Sequence, residues 1–142
     1  MVLILKSKIN EFLNSNNICV VSTNEPYSAT LFYKFDEIDE ALLFISSPTS
    51  RHIRLDELLS AAIYTKNPIK GVQIIGKLLL ANETQKKLYL NTYKAANFAL
   101  NHKIYALKLK YLKYTDNTLM LPKKTEIFYE WIYTWHKCYF IF

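Results

Sequence analysis

The residues best suited to chemistry stand together at Thr49, Ser50, Arg51 and His52, at the end of the stretch ALLFISSPTSRH. Two hydroxyls followed at once by an arginine and a histidine can hold a phosphate without a glycine loop. Ser46 and Ser47 add two more hydroxyls just upstream. The pattern predicts a strand over Ala41–Ser46, a polar turn through Ser46, Ser47 and Pro48, and a helix opening at Thr49 or Ser50. Leu55, Leu58 and Leu59 would lie on one face of that helix. Its free N–H groups and the positive end of its dipole would face an anion. Arg51 would add a two-pronged contact to phosphate oxygens. By residue type alone the plainer reading is the commoner one: an ordinary N-cap followed by a solvated basic first turn.

The elements that must position these residues fit within one domain of 142 residues. A chain of this size buries roughly 68% of the surface its unfolded form exposes, enough for a core without staples. Aromatic residues make up 15% of it, with eleven Tyr and eight Phe, so disorder is not expected for most of its length. The two cysteines, Cys19 and Cys138, read as free thiols in a reducing compartment. The opening MVLILKSK is too short for a signal h-region or a spanning helix, which points to a cytoplasmic protein with no membrane partner. The net charge of +6 is scattered; its only dense cluster is Lys108, Lys110 and Lys113.

Leu5, Ile9, Phe12 and Leu13 recur at helical spacing and predict a short first helix. Ile18–Thr23, Ser28–Phe35 and Ala41–Ser46 are strand-like runs joined by short polar turns, an antiparallel meander. Tyr33 and Phe35 share one face of the second run, and Phe32 lies on the other. Further strands are expected over Ser60–Lys66 and Gly71–Ala81, with Gly76 marking a bulge or bend. Asn82 can cap the next helix, where Leu88, Thr92, Ala95, Ala96 and Ala99 form a narrow face. Tyr105, Leu107, Leu109 and Tyr111 alternate with Ala106, Lys108 and Lys110: one buried face and one basic face. Residues Thr115 to Thr118 read as a turn. The last stretch, Glu126–Phe142, holds eight aromatic residues and reads as a closing strand or a dimer contact. The whole is mainly β with short helices, a small closed or partly closed antiparallel barrel.

Several chemistries are excluded or weak. With only Gly71 and Gly76, neither glycine-rich nucleotide fingerprint is present. His52, His102 and His136 are dispersed, without HxxxH or CxxC spacing, so no metal site is expected. No nucleophile elbow occurs, and Cys19 sits mid-strand as a small hydrophobe. Asp36, Glu37, Asp39 and Glu40 crowd one turn, as a solvated loop does. What remains is an anion pocket beside strands that can line a flat aromatic ligand.

The segments SATLFYKFD, LLFISSPTSRH, GVQIIGK and LKLKYLKYTDN, in that order, resemble the pyridoxamine-phosphate-oxidase-like proteins of the FMN-binding split-barrel fold. Within them the chain looks most like the small bacterial YhbP-like group. The similarity spans about residues 5 to 120, and its most specific points are Phe32–Asp36, Ser50–His52 and Thr115–Asn117. It implies a six-stranded antiparallel split β-barrel over residues 1–125, with 126–142 as an aromatic tail. It implies a homodimer with FMN at the subunit interface and a small-molecule substrate of unstated identity. The strand Ser28–Phe35, with Thr30 and Tyr33, would line the isoalloxazine. Ser46, Ser47, Thr49, Ser50, Arg51 and His52 would hold the phosphate, with His52 standing where the classical oxidases carry lysine. Lys70 and Gln73 would approach the ring. A flavin-dependent oxidoreductase is the leading expectation, with no catalytic residue singled out. A non-catalytic haem or flavin sensor on the same barrel, with His102 or His136 as axial ligand, is the alternative. A nucleic-acid module using Lys108 and Lys110 ranks behind both.

Overall fold

The computed structural model describes residues 2–66, 69–117 and 123–129. The chain runs α1 (Val2–Ser15), β1 (Ile18–Thr23), β2 (Tyr27–Asp36), β3 (Ala41–Ser46), β4 (Leu58–Thr65), β5 (Lys70–Leu80), α2 (Glu83–Thr92), a 3-10 turn (Lys94–Phe98), β6 (Lys103–Asp116) and β7 (Lys123–Phe128). All strand pairs are antiparallel, in the order β3-β2-β1-β4-β5-β6-β7. β3 also pairs with β6, from Ala41 opposite Lys108 to Ser46 opposite Lys103. That pairing closes six strands into a barrel, as expected. β6 is the longest strand and serves two neighbours on one edge: its first half meets β3 and its second half meets β7.

Alternation fills the barrel interior. Cys19 and Val21 of β1, Tyr33 and Phe35 of β2, Leu42 and Phe44 of β3, Leu59, Ala61 and Ile63 of β4, and Val72 and Ile74 of β5 all point inward and are buried. The expected alternation in β6 holds through Tyr105, Leu107 and Leu109, then slips. Ile75 pairs with Tyr111 and Gly76 with Leu109, so Lys110 is an extra residue in β6. After the bulge Leu112 and Tyr114 point inward, and Tyr111 is only half-buried. The expected irregularity at Gly76 is thus borne out, with the added residue on the partner strand. A Cβ on Gly76 would lie 2.7 Å from Leu107 Cγ and 2.8 Å from the Lys108 carbonyl oxygen. Only glycine lets the two strands approach so closely there.

Helix α1 plugs one end of the barrel. Its Ile9, Phe12 and Leu13 join the core, Phe12 meets Tyr114 edge-to-face at 5.8 Å, and Tyr33 Oη donates to the Leu13 carbonyl (2.7 Å). Helix α2 is capped by Asn82 as expected, and Gln85 completes a reciprocal capping box. It lies over the outer faces of β2, β3 and β6, where Ala41, Leu43 and Ala106 are buried with Tyr89. The small-residue face expected to continue beyond it does not: α2 ends at Thr92, and Ala95 and Ala96 fall in the 3-10 turn. Asp36 ties this layer together. Its carboxylate accepts from the backbone N–H groups of Ile38 and Asp39 (3.2 and 3.4 Å) and from Gln85 Nε2 (3.1 Å).

The helix expected after Pro48 does not form. Ser50 N–H donates to the Ser47 carbonyl and Ile53 N–H to the Ser50 carbonyl, both at 3.0 Å, which are single turns and not a ladder. Asp56 takes φ 65°, and Leu58 opens β4 with Leu59 inside and Leu58 outside. Thr115 and Asp116, expected in a turn, extend β6; Thr118 lies outside the described residues. Of the aromatic stretch, Glu126–Phe128 belongs to β7 and 130–142 lie outside the described residues.

Candidate functional site

The loop from Ser46 to Ile53 has an inner and an outer side. On the inner side His52 is buried, stacked parallel to Tyr27 with centroids 6.3 Å apart and tilted against Phe44 at 6.1 Å. Its Nε2 lies 2.9 Å from Ser46 Oγ, and Ser46 Oγ donates to Ser50 Oγ at 3.2 Å. Which of the two donates depends on the imidazole tautomer. Nδ1 is buried and has no hydrogen-bond partner among the described residues. Burial lowers the His52 pKa below its ordinary value, which favours the neutral ring. His52 therefore packs as a core residue beneath the loop, between Tyr27 and Phe44.

On the outer side stands Arg51, exposed, with its guanidinium carbon 4.6 Å from the Tyr27 ring centroid. No carboxylate pairs with it among the described residues. Ser47 Oγ and Thr49 Oγ1 share one hydrogen bond (3.0 Å), which uses one of their two hydroxyl hydrogens. Ser50 Oγ accepts from Ser46 and keeps its own hydrogen. Two hydroxyl hydrogens and an unneutralised guanidinium thus sit on one short loop, a donor set suited to an oxyanion.

Beyond this loop the outer face of β1, β4, β5 and the first half of β2 carries no covering helix among the described residues. Register places Thr30, Val20, Ala62 and Gln73 in one row across the four strands. Ser28, Ser22, Ser60 and Ile75 form the next row. Small side chains in the middle make a shallow strip, bounded by exposed Ile18, Phe32, Leu58, Tyr64 and Ile75. A cleft of about 730 Å³ adjoins it, lined by Ser22, Thr23, Glu25, Arg54, Ser60 and Ile75. Arg54 donates to Glu25 Oε2 (2.8 Å) and lies 3.7 Å from Glu57 Oε2.

The structure therefore divides the expected site residues. Ser47, Thr49, Ser50 and Arg51 gather on the outer side of the loop, and Thr30 and Gln73 share the bare face. Ser46, His52 and Tyr33 are turned inward. Lys70 begins β5 opposite Thr65 and Asp116, roughly 17 Å along the strand from the Ile75 row. Within one protomer it does not meet Arg51. Arg54 was not legible as a site residue; its partner Glu25 is distant in sequence and carries no motif. Lys108, the centre of the basic stripe, donates to the Asp39 carbonyl (2.6 Å) and is half-buried, which weakens a nucleic-acid role. Among the described residues no group of three or more His, Cys, Asp or Glu could hold a metal ion, and no helix is long and apolar enough to cross a membrane.

A closed six-strand barrel with a seventh strand on the free half of β6 defines a split barrel of the pyridoxamine-phosphate-oxidase-like class. Solved structures of that fold superpose on it. A Clostridium acetobutylicum protein related to general stress protein 26, of the pyridoxinephosphate oxidase family, matches with TM-score 0.64 at 15% identity over 87% of this chain and 94% of its own. An FAD-binding protein from Mesorhizobium loti matches with TM-score 0.61 at 14% identity, covering 75% and 88% of the two chains. A haem-binding protein from Mycobacterium smegmatis matches with TM-score 0.61 at 15% identity over 78% of this chain and 53% of its own. No family model matches the sequence. The chain belongs to the UPF0306 family: a Campylobacter jejuni UPF0306 protein is 33% identical over 133 residues, 87% of this chain and 98% of its own length. The UPF0306 protein YhbP of Salmonella paratyphi A is 28% identical over 117 residues, 75% of this chain and 79% of its own.

Proposed function

We propose that this protein binds flavin mononucleotide on the bare face of the barrel, as a homodimer that buries the cofactor between its subunits. The observation that carries this reading is Arg51, a guanidinium without a carboxylate partner, set beside two donatable hydroxyl hydrogens at the edge of a small-residue strip. A phosphate-bearing flat heterocycle suits that arrangement. Arg51 would pair with the phosphate, Ser50 and the Ser47–Thr49 pair would donate to it, and Thr30 and Gln73 would meet the ring edge. Lys70, remote from Arg51 in its own protomer, would join the site across the dimer. A bound flavin would supply hydride or electron transfer toward a small molecule, and the protein would supply binding and orientation. Ser46, His52 and Tyr33 would support the loop and strand from inside without touching the ligand.

Titration with flavin mononucleotide tests this directly. Quenching of flavin fluorescence and a raised melting temperature are expected. Arg51→Ala should weaken flavin mononucleotide binding by about 1.5–3 kcal/mol and leave riboflavin, which lacks the phosphate, almost unchanged. Colourless protein with no change in fluorescence or melting would overturn the reading. A Soret band on haem addition, lost on His102→Ala or His136→Ala, would favour the sensor alternative, which the likeness to a haem-binding protein keeps in view.

A further inference from the structure

A second cleft lies on the covered side of the barrel, apart from the strip just described. It encloses about 460 Å³ between β3, β5, β6, α2 and the 3-10 turn. Its apolar walls are aliphatic, with Ile45, Leu80, Leu90 and Ile104. Its charged lining is wholly basic: Lys86 and Lys103, with His102 beside them and no carboxylate. Lys86 meets Glu83 at 3.1 Å in an exposed pair, the kind that holds a lysine only weakly. Lys103 makes no ion pair among the described residues.

The connection into β6 adds a second observation. Asn97, Ala99 and His102 line the cleft, while the intervening Phe98 and Leu100 are 84% and 82% exposed. Asn101 in the same segment holds φ 62°. Two large apolar side chains thus stand in water beside an aliphatic cavity with a cationic wall, although neither is needed to cover the core.

The geometry points to a binding site here for a small aliphatic carboxylate: a hydrocarbon chain against Ile45, Leu80, Leu90 and Ile104, and its anionic end at Lys86 and Lys103. The volume lies within the range of small-ligand sites, roughly 300–1,000 Å³. The lysines select against an amine of the same length, and an incoming anion would replace the exposed Glu83 carboxylate on Lys86. The cleft shares no lining residue with the proposed flavin face, so the two proposals stand or fall separately.

Calorimetric titration of the full chain with octanoate, octan-1-ol and octylamine tests the site. Saturable binding of octanoate, weaker binding of the alcohol and none of the amine are expected. Replacing both lysines (Lys86→Ala with Lys103→Ala) should weaken octanoate about tenfold or more, as loss of charged contacts does. Leu90→Trp, which fills the cavity, should abolish binding. Both lysines lie at the surface, so the double variant remains informative if Leu90→Trp fails to fold. Equal affinity for octanoate and octan-1-ol, unchanged octanoate affinity in the double variant, or no saturation at millimolar octanoate would each overturn the assignment. So would a Leu80→Glu variant that changes the sedimenting mass, combined with no octanoate binding, because the cleft would then be a contact between copies.

Discussion

The two outer faces of this barrel differ in what covers them. Over β3 and the first half of β6, α2 buries Ala41, Leu43 and Ala106 and is tied down by Tyr89, whose hydroxyl donates to the Phe32 carbonyl, and by the Asp36–Gln85 bridge. Over β1, β4, β5 and the first half of β2 nothing in the described chain does the same. Phe32 stays 57% and Tyr64 69% exposed, with Ile18 opposite Phe32 exposed as well. The contrast teaches that apolar residues on a barrel's outside have two uses. Where the chain brings its own helix they add to stability. Where it does not, they form a surface whose use depends on something arriving from outside.

Matched substitutions can break or sharpen that comparison. Tyr89→Ala, on the covered face, should lower unfolding stability by about 3–5 kcal/mol, read from urea denaturation. Gln85→Ala should cost about 2 kcal/mol, because it removes the side-chain half of the α2 capping box and leaves a buried Asp36 oxygen without its amide partner. A smaller effect separates the core side of the Ser46–His52 loop from its exposed side. Burial depresses the His52 pKa below its unfolded value, so the unfolded chain takes up the proton first. The contribution of neutral His52 is complete above about pH 6.5 and is lost as pH falls from there toward the folded pKa, by at most about 1.4 kcal/mol per unit. His52→Gln should flatten this limb in pH-dependent denaturation, whereas Arg51→Ala should leave it unchanged. Tyr64→Ala, the bare-face counterpart of Tyr89→Ala, should move monomer stability by no more than about 0.5 kcal/mol. Its effect is expected in sedimentation, as a weaker dimer. A large loss of stability from Tyr64→Ala in a monomeric sample would erase the distinction between the faces.

Local pattern carried much of this fold. β1 and β3 have the bounds their apolar runs predict, and Asn82 caps α2 as its neighbours indicate. The pattern failed where distant partners decided. Leu55, Leu58 and Leu59 are spaced for a helix, yet β1 and β5 offered the following residues edges to pair with, and β4 formed there. Tyr111 kept the alternation of β6 on paper, but the crowding at Gly76 pushed Lys110 out of register and turned Tyr111 away from the core. The site divides in the same way. Arg51 was visible as an exposed cation after hydroxyls. The burial of His52 was not, because it depends on Tyr27 and Phe44 arriving from two other strands. Arg54 acquired its place from Glu25 across the cleft, a pairing no local spacing announces.

The double use of β6 has a consequence for how the chain folds. The β1–β2–β3 meander needs only neighbouring segments and can assemble as soon as they exist. The barrel closes only when Lys103–Lys108 finds Ala41–Ser46, roughly sixty residues earlier in the chain, and such non-local closure is slow. Until then the meander has one face of its third strand unsatisfied, an edge open to pairing with another copy. β7 docks on the same strand, but only beyond the stretch that β3 occupies. The length of β6 therefore keeps the two events from competing, so late closure of the barrel and addition of the final strand can proceed in either order.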